Sequence, residues 1–238
     1  MLAIVAVRRP PGKRLWALAA AGVLALAAGL GAKLAIGTWS ARAPAEEFVP
    51  QPGGTLLICG GGRLPDAIRE RFCRRAGGAE ARIFVIPARH VERGSEAEGR
   101  HLAAWAPFGA RSVELFSVER RKFADDPRVA APLGRATGVW LAGGDQSWLA
   151  TIYRDTETSR QLRALLERGG VIGGSSAGAA AMAQVMIASG RSEAIESQGL
   201  GLWPEAVIDQ HFLRRNRLQR FVGILAAHPE LIGFGVDE

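Results

Sequence analysis

Between Thr55 and Gly173 the chain alternates short, continuously apolar runs with stretches of amphipathic helical pattern. This alternation limits the fold more than any other feature. A strand apolar at every position must be covered on both faces, and a helical crossover returns the chain parallel to the strand before it. The apolar runs are Thr55–Cys59, 81–87, 112–118, 138–142 and 171–173, and 64–75, 96–105 and 159–168 read as helices between them. The expectation is an α/β domain spanning 46–238, built on a mostly parallel sheet with helices on both faces. Active sites of such sheets lie at the carboxyl ends of the strands.

Three strand ends carry chemistry. After 171–173 comes Gly174-Ser175-Ser176-Ala177-Gly178, a G-x-S-x-G set followed by small residues that read as helix. This is the sequence form of a nucleophile elbow, in which a serine on a strained strand-to-helix turn exposes its Oγ and the next N–H faces an oxyanion. Only Ser176 fits the register, because Ala177 stands two residues after Ser175. After 138–142 comes Gly143-Gly144-Asp145-Gln146, where glycines let backbone N–H groups approach a ligand. After Ala206-Val207-Ile208 comes Asp209-Gln210-His211-Phe212, which offers the base that a serine nucleophile needs. Spacing alone does not select the orienting acid. Gly60-Gly61-Gly62 marks the end of the first strand.

A pI near 10.6 invites a nucleic-acid role, but the charge is in the wrong place for one. Residues 1–45 hold Arg8, Arg9, Lys13, Arg14, Lys33 and Arg42 and no acid, so removing these six from the net +7 leaves +1 for the rest. No nucleic-acid partner is expected. Basic residues before the uncharged, Ala- and Leu-rich run 15–32 read as an export signal or an N-terminal membrane anchor, with the uncleaved anchor preferred. The domain is then extracytoplasmic. Residues 41–54 read as a linker. Cys59 and Cys73 fall in a strand and a helix and read as core residues, with no spacing that demands a disulfide or a zinc site. No metal or cofactor is expected.

With these loops in place, the chain resembles the cyanophycinase family of serine exopeptidases, related to aspartyl dipeptidase E. The likeness begins near Thr55 and rests on Gly143-Gly144-Asp145-Gln146, Ser175-Ser176-Ala177-Gly178-Ala179-Ala180, Gly199-Leu200-Gly201-Leu202, Asp209-Gln210-His211-Phe212 and Gly233-Phe234-Gly235-Val236-Asp237-Glu238. The resemblance implies a flavodoxin-like fold of the class I glutamine-amidotransferase type, which carries a cysteine where this chain has Ser176. It makes Ser176 the nucleophile, His211 the general base and Glu238 the acid, with Glu193, or Glu196 in a shifted register, as the alternative acid. The oxyanion hole falls on Ala177 and Gly144. Gln146, Asp209, Gln210, Arg215, Arg217 and Arg220 are implied as substrate-binding, the arginines matching the family's offsets from the histidine. The implied substrate is a β-linked Asp-Arg polymer or its peptides, cut at the β-aspartyl amide. Cleavage of α-linked Asp-Xaa, and a membrane-anchored protein that only binds acidic peptides, are the alternatives. A homodimer is compatible with the sequence. Family members continue with further strands past the Asp-Glu pair, so a C-terminally truncated domain is expected.

Overall fold

The computed structural model describes residues 5–8 and 53–238. Strands β1 (Val5–Arg8), β2 (Thr55–Cys59), β3 (Arg82–Ala88), β4 (Ser112–Leu115), β5 (Gly138–Gly144) and β6 (Val171–Ser175) form one sheet in the order β1-β2-β6-β5-β3-β4. The five strands from β2 to β4 run parallel, as the apolar pattern predicts, and β1 lies antiparallel on the outer edge of β2. The expected leader otherwise lies outside the described residues, its apolar run 15–32 included. No described helix is long and apolar enough to cross a membrane.

The alternation of strand side chains explains the two-sided core. Leu56, Ile58, Phe84, Ile86, Val139, Leu141 and Ile172 face one way and pack on helices α5 (Gln146–Tyr153), α6 (Glu157–Glu167) and α7 (Ala177–Ala180). Leu57, Cys59, Ile83, Val85, Trp140 and Val171 face the other way and meet Ile68, Phe72 and Cys73 of helix α1 (Asp66–Arg75) and Trp105 beyond helix α2 (Glu96–Ala103). Each fully buried Leu, Ile or Phe contributes about 1.5–3 kcal/mol over an exposed one. Both thiols lie in this second layer, and burial pushes them up, Cys59 to about 12 and Cys73 to about 11, so neither is a nucleophile at neutral pH. Two one-turn helices, α3 (Arg121–Ala124) and α4 (Pro127–Ala130), pack beside the first layer.

After α7 the chain leaves the main sheet. An antiparallel hairpin, β7 (Val185–Ser189) and β8 (Ile195–Gln198), precedes a separate parallel ribbon of β9 (Ala206–Gln210) and β10 (Ile232–Val236), crossed over by helix α8 (Leu218–Ala227). A small third core of Ile187, Val207, Phe212, Phe221, Ile224 and Leu225 holds these pieces together.

Candidate active site

The elbow forms where β6 runs into α7. Ser176 has φ 53° and ψ −113°, a conformation that L residues rarely adopt and that the surrounding packing must impose. The constraint is visible on both sides. A Cβ on Gly174 would lie 2.6 Å from the Gly178 carbonyl carbon, and one on Gly178 would lie 2.1 Å from the Leu141 oxygen. Strand and helix approach this closely only because both positions are glycine. The Ser176 N–H donates to the Cys59 carbonyl at 2.9 Å, which fastens the turn to β2.

His211 follows β9 directly and also has a positive φ, 47°. Its N–H donates to the Gly60 carbonyl at 3.0 Å, so the loop after β2 holds both the serine strand and the histidine. Its Nε2 stands 2.8 Å from Ser176 Oγ, and its Nδ1 stands 2.6 Å from Glu238 Oε1. An ionised carboxylate only accepts, so Nδ1 carries the proton toward Glu238 and Nε2 is left to accept from the serine hydroxyl. The imidazole hydrogen bond holds the Glu238 carboxyl below its usual range, aided by the positive field of His211, Arg214 and Arg215 against a desolvation that opposes it. Glu238 follows β10 (Ile232–Val236) after Asp237, which accepts at Oδ1 from the Arg214 N–H at 3.2 Å.

The other expected site residues divide. Ala177 is the first residue of α7, so its N–H lacks an intrahelical acceptor. Gly143 lines the cleft beside Ser176, whereas Gly144, at φ 146°, is turned onto Ala88, where a Cβ would come within 2.9 Å. Gln146 does not face the cleft, because its Nε2 donates to the carbonyls of Ala188 at 2.7 Å and Ile187 at 3.2 Å, tying α5 to β7. Asp209 is buried between two arginines. Arg217 Nη1 donates to its Oδ1 at 3.1 Å and to the Gln210 carbonyl at 2.7 Å. Arg220 donates from Nε to Oδ2 at 2.8 Å, from Nη2 to Oδ1, and from Nη1 to the Gly190 carbonyl at 2.5 Å. These residues, expected to hold substrate, are an internal ion network bracing the ribbon that carries His211. Gln210 is buried too, and its Oε1 finds no donor among the described residues. Arg215 is exposed, with its N–H on the His211 carbonyl at 3.0 Å. Of the alternative acids, Glu193 sits in the exposed β7–β8 turn, and Glu196 meets His228 Nε2 at 2.9 Å instead of His211.

Ser176, His211, Gly61 and Gly143 form one end of a cleft of about 720 Å³. Trp140, Trp105 and Val85 also line it, and Arg63, Arg69, Arg89, Arg100 and His101 bring basic groups to it. A serine with an aligned base, facing a cleft of this size, suits acyl transfer from an amide or ester.

The sequence profile of peptidase family S51 matches residues 56–238. The chain belongs to this family. It is 38% identical over 199 residues to the cyanophycinase of Synechococcus elongatus, covering 78% of this chain and 61% of that one. It is 37% identical over 207 residues to the cyanophycinase of Trichormus variabilis, covering 81% and 68%. The chain thus spans about three fifths of the length of the first of these relatives. A crystal structure of a peptidase from an acI-B1 actinobacterium superposes with a TM-score of 0.58 at 22% identity, covering 79% of this chain and 82% of that one, a likeness of fold.

In this S51 chain the Gly60-Gly61-Gly62 loop, which the sequence marks only as the end of the first strand, lies against both His211 and Glu238. A Cβ on Gly61 would lie 2.1 Å from His211 Cε1, and one on Gly62 would lie 2.9 Å from Glu238 Oε2. The loop is a flat bed for the imidazole and the carboxylate. Three consecutive glycines at the carboxyl end of a buried strand were the available signal.

Proposed function

We propose that the chain is a serine-type peptidase of the cyanophycinase branch of family S51, hydrolysing amide bonds in a β-linked Asp-Arg polymer or its peptides. The observation that carries this reading is the continuous relay from Ser176 Oγ through both imidazole nitrogens of His211 to Glu238. Ser176 Oγ attacks the scissile carbonyl as its proton passes to His211 Nε2, and Glu238 steadies the imidazolium. The oxyanion is taken by the Ala177 N–H and by an N–H of the Gly143-Gly144 segment; losing one such donor typically costs about 2.7–4 kcal/mol of transition-state stabilisation. Nε2 then returns the proton to the leaving amine, and water releases the acyl group from Ser176 by the same relay in reverse. The leader extends the reading to an exported domain held at a membrane.

Incubating the chain with the polymer, and separately with α-linked Asp-Xaa dipeptides, tests the proposal. Free arginine as product reports hydrolysis of the β-aspartyl linkage, and an Asp-Arg dipeptide reports hydrolysis of the amide joining the repeat units. Turnover of α-Asp-Xaa alone makes the chain an aspartyl dipeptidase. Binding of the polymer by wild type and Ser176→Ala alike, with neither turning it over, makes it a binding protein.

A further inference from the structure

The glycines that line the cleft do not all serve the fold. Gly61 and Gly62 have φ of 127° and 69°, and a Cβ on either would press on His211 or Glu238. Gly143 is different. Its φ lies outside the left-handed region, and among the described residues a Cβ built there would meet nothing nearer than the Ser175 carbonyl oxygen and Ser176 Cβ, both at 3.5 Å. That is an ordinary contact distance. A strand interior favours alanine over glycine, so neither backbone nor packing calls for a glycine at 143. A glycine of that kind in a strand marks the close approach of a ligand. The strand pairing shows where the free space lies. β5 pairs with β6 only as far as Leu141 opposite Gly174, so Ala142 and Gly143 run on past the last rung, and they line the cleft together with Ser175 and Ser176. Gly143 is exposed there. A methyl group at this position would stand in the cleft against the carbon that carries the nucleophilic Oγ, in the space that an acyl group bonded to Oγ needs.

We propose that Gly143 is a specificity-determining residue, whose missing side chain makes room for substituents on the carbon next to the reacting carbonyl. A methyl group at 143 confines Ser176 to slim acyl groups. The proposal rests on the reading of Ser176 as the peptidase nucleophile and names what limits the acyl group that it takes.

The test labels the full chain with methanesulfonyl fluoride and with 2-propanesulfonyl fluoride, which differ only in branching at the carbon next to sulfur. With either reagent Ser176 Oγ bonds to sulfur, the S–F bond breaks, fluoride leaves with the electron pair, and the hydroxyl proton passes to His211 Nε2. Intact mass reads the labelling rate, with Ser176→Ala as the blank, and a thermal melt reads the fold. Gly143→Ala melts no lower than the wild type. It slows the branched reagent by about tenfold or more beyond any slowing of the unbranched one, the scale of a small group refused by a pocket. Equal slowing of the two reagents, slowing of neither, or a lowered melt in Gly143→Ala overturns the clearance role and leaves the peptidase reading standing. A wild type labelled no faster than Ser176→Ala sinks the peptidase reading, and the clearance role with it.

Discussion

Replacing Arg220 by methionine separates two roles for the arginines after His211. The Arg220 side chain is 3% exposed and Asp209 1%, and Arg220 supplies two of the three guanidinium contacts to that carboxylate as well as a bond to the Gly190 carbonyl. Methionine keeps much of the volume and removes the charge, which strands most of a buried carboxylate. Breaking a buried pair in this way costs about 3–5 kcal/mol. Arg217, 12% exposed, keeps its own bond to Asp209 Oδ1, so the low end, about 3 kcal/mol, is expected. For a domain of this size that lowers Tm by about 6–12 °C. Urea unfolding and a thermal melt read the stability, and steady-state kinetics read kcat and KM separately. Because the network braces the ribbon beneath His211, kcat falls more than KM rises. Adding Asp209→Asn removes the stranded charge and recovers at least about 1 kcal/mol through the coupling of contacting residues. Unchanged stability with a raised KM refutes this reasoning and returns Arg220 to the substrate-binding role that the family resemblance implies.

Glu238→Gln leaves the imidazole without its ionic partner and lowers kcat by about 10⁴-fold, the loss seen when a triad acid is neutralised. In the native chain the Glu238 carboxyl is depressed, so its bond to His211 is fully formed above the ordinary value near 4.5 and is lost only as pH falls through the lowered one. A low-field Nδ1 proton resonance that vanishes before pH 4.5 is reached would contradict that. Gly61→Ala drives a methyl into the His211 ring at a φ of 127°, and kcat drops about 100-fold from displacement of the base, read by kinetics beside a near-native circular dichroism spectrum. The pairing of Val5–Arg8 with β2 and an anchor across 15–32 with its basic end inside are exclusive, since the anchor puts the two strands on opposite sides of the membrane. An Arg8→Cys/Thr55→Cys cross-link in the intact cell marks the paired form, and labelling of the two thiols from opposite sides marks the anchor.

The five parallel strands were legible because each carries a short apolar run, although Glu114 interrupts that of β4, and Ser176 because an elbow needs glycines at fixed offsets. Helix α5 is not among the helices that the sequence pattern predicts. Its signal was Asp145, whose Oδ1 accepts from the N–H groups of Ser147 and Trp148 as an N-cap, a role hidden by the glycines before it. Strand β8 has no signal in the sequence because all four of its residues are exposed, so it carries no hydrophobic period. The roles of Arg217 and Arg220 were beyond spacing. A guanidinium that holds substrate and one that holds a buried aspartate leave the same letters, and only the position of Asp209 tells them apart.

Ser176 rides on the main sheet, while His211 and Glu238 ride on the two-stranded ribbon of β9 and β10, which the sheet does not include. The relay therefore spans two sheets that share one apolar core, in which Ile208 and Phe234 of the ribbon pack in the same cluster as Ile58, Leu141 and Ala177. A substitution in that shared core which displaces the ribbon silences the chain while every reacting group is still present, because the serine loses its proton acceptor. A change in the Gly60 carbonyl contact acts directly on the histidine end of the relay.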